Sequence, residues 1–116
     1  MKDFREMQVW HKGHKLALEI YKLTAKFPKE EIYGLTSQIR RAAVSIPTNI
    51  AEGCGRGSAK ELKQFLRISM GSASEVEYQI LLSHQLCYTD SQTYDSLNAD
   101  IQEIKKMLSS YIVKIN

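Results

Sequence analysis

The sequence predicts an all-α protein, an antiparallel up-down four-helix bundle whose second helix is kinked at a proline. Three observations predict it. Apolar residues recur at spacings of three and four in four separate segments, the period of one helix face. Short stretches carrying proline, glycine or a capping residue separate the segments. No stretch of any length alternates polar and apolar residues as a half-buried strand does. Four amphipathic helices with short links bury their stripes against one another.

The first helix is expected from about Glu6 to Phe27. Val9, Leu16, Ile20, Leu23 and Phe27 form its stripe, widened by Trp10, Gly13, Ala17 and Thr24. Pro28 stops it, because the residue before a proline avoids the helical region. "PKEEIYGL" is a connection, with Gly34 at the entry to the second helix. That helix runs from Leu35 to about Glu52 and contains Pro47. An interior proline lacks an amide donor and crowds the carbonyl four residues back, at a cost of roughly 3 kcal/mol against alanine. Starting a new helix at Pro47 requires Ile46 as N-cap, a poor cap. One kinked helix is therefore expected, with small residues (Ala42, Ala43, Ser45, Thr48) around the bend and Gly53 as a left-handed C-terminal cap. Asn49 is placed to reach carbonyls freed by Pro47.

"SAKE" opens the third helix as a capping box of Ser58 and Glu61. Its stripe of Leu62, Phe65, Leu66, Ser69, Ala73, Val76, Ile80 and Leu81 continues to about Leu86, or ~42 Å of helix. The small cluster Gly71–Ser74 allows close approach of another helix. The fourth helix follows "CYTDSQ", where Thr89 and Gln92 read as a second capping box. Its stripe is Tyr94, Leu97, Ile101, Ile104, Leu108, Tyr111 or Ile112, and Ile115.

Length and composition set bounds. With 116 residues, 43% hydrophobic and 25% charged, the chain is expected to be one domain over 1–116 with a true core. No apolar run reaches the roughly 20 residues of a membrane span. The first fifteen residues show no export signal, so a cytoplasmic location is expected. Cys54 and Cys87 are then read as free thiols. The net charge is only +3, yet residues 1–67 hold 13 Lys/Arg against 7 Asp/Glu, and residues 68–116 hold 3 against 6. Such asymmetry suits a nucleic-acid face or charge-guided assembly.

Several clusters bear on function. Arg56, Lys60, Lys63 and Arg67 share one face at the start of the third helix, and Lys12, Lys15, Lys22 and Lys26 share a face of the first. With Arg40 on the second helix, these cations are the candidates for phosphate contacts: Lys12, Lys15, Arg40, Arg56, Lys60, Lys63 and Arg67. A solvated surface is the plainer reading of the same stripes. The first and third helices lie diagonally in such a bundle, so the stripes need not merge within one copy. Gln38, Arg41, Ser45, Asn49, Glu52 and Arg56 make a polar stripe on the second helix. Arg41, Pro47, Asn49, Glu52 and Glu75 are the candidates for helix packing or a subunit interface. Arg41 is expected near Glu75, and Glu52 near Lys60 or Lys63.

Catalytic patterns are weak. "GCGRG" has no preceding strand and matches no nucleotide-loop spacing. Cys54 sits near a helix start and Arg56, a setting that lowers a thiol pKa, but no histidine motif accompanies it. His11 and His14 have no carboxylate at ligand spacing, so no metal or cofactor is expected. Glu75 and Glu77 point to different faces. The aromatic residues are read as packing groups rather than base-stacking platforms.

The runs "EIYGLTSQIRRAAVSIPTNIAEG" (31–53), "VWHKGHKLALEIYKLTAKFP" (9–28), "GRGSAKELKQFLRISMGSASEVE" (55–77) and "QLCY" (85–88) resemble the 23S rRNA intervening-sequence protein family. The resemblance covers nearly the whole chain. It implies a bacterial, cytoplasmic, non-enzymatic four-helix bundle, often a homopentameric ring, with many family genes lying inside inserts in 23S rRNA genes. Through the more distantly similar accessory proteins of diversity-generating retroelements it also implies RNA or DNA, and a reverse transcriptase or another protein, as partners. The alternative is a protein-interaction ring that binds no nucleic acid.

Overall fold

The structure is a computed structural model and describes residues 2–115. A 3₁₀ turn, Phe4–Glu6, leads into α1 (Gln8–Thr24), and another, Lys29–Glu31, leads into α2 (Leu35–Gly55). Then follow α3 (Ala59–Gln85) and α4 (Ser91–Lys114). No strand occurs among the described residues. No helix of the structure is long and apolar enough to cross a membrane.

The helix starts are set by local chemistry. Ser58 caps α3, its hydroxyl accepting from the Glu61 amide at 3.1 Å, as the capping box predicts. At α4 the cap is Asp90 instead of Thr89. Its carboxylate accepts from the Thr93 amide at 2.7 Å, a charge-assisted bond that a threonine hydroxyl cannot match. That bond also holds the Asp90 carboxyl below its usual range. α1 stops at Thr24, three residues before the expected end, and Phe27 turns back to pack against Tyr88 at 5.2 Å between ring centres.

Each helix packs on its sequence neighbours, and α1 also packs on α4. Across α1 and α2, Gly13 faces Ile46 while Thr24 meets Arg40. Across α2 and α3, Ile46 meets Ser69 while Gly53 meets Leu62. Across α3 and α4, Glu77 meets Lys105 while Lys63 meets Ile115. Partner numbers fall as the chain rises, so these neighbours run in opposite directions. The molecule measures 43 × 24 × 19 Å, about the length of α3 alone. The core contains Ile20, Ile46, Leu66, Ile80, Ile101 and Leu108, all essentially without solvent contact. Leu62 and Ile104 are buried as well.

α2 runs unbroken through Pro47, which is buried. Across from it stands Gly13: a β-carbon there meets Ile46 Cγ2 at 3.0 Å and Pro47 Cδ at 3.6 Å. The glycine lets α1 lie directly over the proline turn. The Asn49 expectation is corrected. Its Nδ2 donates to the Ser45 carbonyl and hydroxyl, both at 2.8 Å. The carbonyl that Pro47 leaves without its usual donor belongs to Ala43, four residues back, beyond this arrangement.

Gly53 is also corrected. It lies inside α2, and the glycine with a left-handed backbone is Gly57 (φ 90°), in the turn to α3. Gly53 serves proximity: a β-carbon there falls 2.9 Å from Phe65 Cβ and 3.1 Å from Leu62 Cδ1. Buried Ser69 completes this seam by donating its hydroxyl to the Ile46 carbonyl at 2.9 Å.

Candidate assembly and nucleic-acid surfaces

The candidate cations divide into two sets. Four are tied into the bundle. Lys12 pairs with Glu103 at 2.6 Å, and that carboxylate raises the Lys12 pKa. Arg40 donates from Nε to Thr24 Oγ1 at 2.7 Å and lies 4.6 Å over the Tyr21 ring. Arg56 pairs with Glu52 at 2.8 Å and sits 5.0 Å over Phe65. Lys63 donates to the Ile115 carbonyl at 3.5 Å. The other three, Lys15, Lys60 and Arg67, are exposed and bond to no described side chain. Lys60 and Arg67 stand two turns apart on α3, roughly 10 Å along its axis. Lys15 lies on α1, which does not contact α3. The four-lysine stripe of α1 also splits. Lys12 turns to α4, Lys22 and Lys26 line the α1–α4 cleft with Thr93 and Ser96, and Lys15 faces out.

Ser45 and Arg56 of the α2 polar stripe lie along α3, but the ion pairs of the stripe differ from expectation. Glu52 pairs with Arg56 on its own helix, because four-residue spacing already brings the two together. Arg41 and Glu75 form no ion pair with each other. Arg41 is exposed, and Glu75 accepts from Gln79 Nε2 at 3.3 Å. Ser72 and Ser45 join the two helices instead, hydroxyl to hydroxyl at 2.8 Å. The small side chains bring the backbones too close for long ion pairs to lie between them.

Besides Lys12 with Glu103, a second ion pair bridges two helices, Glu77 with Lys105, at 2.7 Å. The Lys105 ammonium first, and the Gln102 amide second, hold the Glu77 carboxyl below the usual carboxylate range. A lowered folded pKa stabilises above the unfolded value and is lost as pH falls through the folded one. The bridge therefore helps at neutral pH and fades below about pH 4. Its side chains are about a third exposed, so solvent tempers the effect. Urea titrations at pH 7 and pH 3 are expected to show a smaller stability drop for Glu77→Gln than for the parent chain. An equal drop in both places the acid sensitivity elsewhere.

The nucleophile and ligand candidates separate in space. Cys54 is buried with its thiol 3.2 Å from Met7 Sδ, and burial pushes its pKa up, opposite to the activation read from its neighbours. Cys87 is exposed. His11 bonds through Nε2 to the Arg5 carbonyl at 2.6 Å, His14 stacks on Trp10, and His84 stacks on Tyr94. No group of three His, Cys, Asp or Glu among the described residues is arranged to hold a metal ion.

One feature does not follow from the sequence patterns above: a groove of about 470 Å³ between α1 and α2, lined by Trp10, His14, Leu18, Tyr21, Val44 and Pro47. A signal exists. Leu18 and Val44 are apolar residues off the core stripes of their helices, where a solvated face is normally polar.

These features define a small all-α four-helix bundle with tight small-residue seams, scattered free cations and an open apolar groove. The chain belongs to the 23S rRNA-intervening sequence protein family, whose model matches residues 5–110. It is similar to the 1.70 Å crystal structure of a protein of unknown function from the S23 ribosomal protein family of Bacteroides thetaiotaomicron VPI-5482. The TM-score is 0.84 at 31% identity, over 91% of this chain and 96% of that one. No curated protein matches the sequence.

Proposed function

We propose that this protein is a non-catalytic, self-associating bundle that meets RNA or DNA through cations of α1 and α3. The observation that carries the reading is the freedom of Lys15, Lys60 and Arg67, which are exposed and engage no described side chain. Phosphate neutralisation needs cations that are not already satisfied by carboxylates. The family's description as a 23S rRNA-intervening sequence protein supports an RNA context. Lys12, Arg40, Arg56 and Lys63 then act chiefly as braces, with Arg56 and Lys63 at the margin of the α3 surface. Assembly of several copies, five in a ring of the kind the family resemblance implies, brings the separated α1 and α3 cations onto one larger surface.

The combined variant Lys60→Glu with Arg67→Glu tests this. Gel-shift titrations with random-sequence single-stranded RNA across a salt series are expected to show weaker binding. The log–log salt slope should be shallower by about 1.4, at about 0.7 for each of the two phosphates no longer neutralised. Unchanged affinity and slope remove these residues from the interface. A second reading, a protein-interaction assembly without nucleic acid, is favoured by the four internally engaged cations and the apolar groove. A raised 260/280 nm absorbance ratio in purified protein, lowered by high salt, favours the first reading. A protein-like ratio with no shift of RNA in the gel favours the second.

A further inference from the structure

Two apolar surfaces are left open by the fold, and their charges differ. The first is the α1–α2 groove, where Leu18 is 53%, Tyr21 46% and Val44 39% exposed. Helical spacing puts Lys15 beside Leu18 on α1 and Arg41 beside Val44 on α2. Both cations are exposed and form no ion pair with a described residue. Glu19 and Lys22 line the cleft towards α4, and Glu52 is paired with Arg56. The groove rim is therefore basic.

The second surface is the outward side of α3 from Ile68 to Gln85. Ile68 is 46%, Tyr78 60% and Leu81 37% exposed. This stretch contains no lysine or arginine. Glu75 is exposed in its middle, while Glu77 is bound to α4. Six of the large exposed apolar side chains thus fall on two surfaces, one rimmed with cations and the other carrying an acid.

We propose that the α1–α2 groove of one copy receives the outer side of α3 from a second copy, with Glu75 set against Arg41 on the groove rim. This rests on the self-association reading above and names its surfaces. The two surfaces do not cover each other within one chain, since Leu18, Tyr21, Val44, Ile68, Tyr78 and Leu81 all remain exposed in it. The match joins unlike patches, so each copy offers both a donor and an acceptor face. Nucleic acid is a poorer occupant of the groove. Leu18, Val44 and Pro47 offer base edges no hydrogen-bond partner, and Trp10 already stacks on His14, 5.0 Å between ring centres and 6° from parallel.

Analytical ultracentrifugation of three nuclease-treated proteins tests this: the parent chain, a groove variant (Leu18→Glu with Val44→Glu) and an α3 variant (Glu75→Arg with Tyr78→Glu). All four residues are exposed, so far-UV circular dichroism is expected to be unchanged. Each variant is expected to associate about tenfold more weakly or worse, as truncation of a central interface residue does. Mixing the two variants is expected to restore a complex, because one keeps an intact groove and the other an intact α3 side. A monomeric parent chain at all concentrations overturns both this inference and the self-association reading. A parent oligomer that the groove variant leaves intact overturns this inference alone. So does dissociation by the groove variant with no effect of the α3 variant, or an oligomer that nuclease dissolves.

Discussion

Ile46→Ala is expected to lower the stability of the bundle by about 3 kcal/mol, within the 2–5 kcal/mol typical of a buried isoleucine truncated to alanine. Ile46 has no solvent contact. Its Cγ2 fills the space that the missing side chain of Gly13 leaves, and its carbonyl accepts from Ser69. It is thus held between α1 and α3 at one level of the bundle. Helices pinned on both sides cannot close over a cavity, so the loss should exceed the transfer free energy of the removed methyl groups. Urea unfolding should show a lower midpoint with an unchanged slope. A loss below about 1 kcal/mol, the range of a mild core trim, means the seam relaxes and is looser than the distances imply.

The second large effect is a contrast between two glycines. Gly53→Ala places a β-carbon 2.9 Å from Phe65 Cβ and 3.4 Å from Leu62 Cα. Neither is the free end of a flexible side chain, so α2 and α3 must separate. Alanine gains roughly 0.5–1 kcal/mol of helix propensity, but overpacking of this kind costs about 1–3 kcal/mol. The net expectation is destabilisation, growing steeply for Gly53→Leu. Gly71 also lies inside a helix, yet a β-carbon there meets nothing within 4 Å. Gly71→Ala should therefore stabilise by up to about 1 kcal/mol. The same chemical change is expected to raise the melting temperature at one site and lower it at the other. Equal shifts in the same direction contradict the account of the α2–α3 seam.

The candidate surfaces are legible in the sequence only in part. Spacing alone puts Lys60 and Arg67 on one side of α3, and the structure leaves both free. Spacing does not show that Lys12 turns to Glu103 or that Arg40 settles on Thr24 and Tyr21. Those partners lie on other helices, and a long cationic side chain takes whichever acceptor the packing brings within reach. Glu52 shows the converse. Its partner is four residues on, within reach of pattern reasoning, and not among the lysines expected across the turn. For Cys54, the neighbours along the chain suggest an activated thiol. Its chemistry is decided instead by burial, which sets it against Met7, forty-seven residues away.

By itself the sequence determined four helices, their stripes and the Ser58 cap. These depend on interactions within a few residues, or on a period the chain carries along its whole length. It also showed a proline tolerated within a continuous second helix. Only the tertiary structure decided that Gly13 and Gly53 are points of close approach, which cations are free, and that Leu18, Tyr21 and Val44 border an open groove. The reason is physical. A helix specifies which of its faces are apolar, but the separation and rotation of two helices come from the side chains that meet between them, and these are distant along the chain.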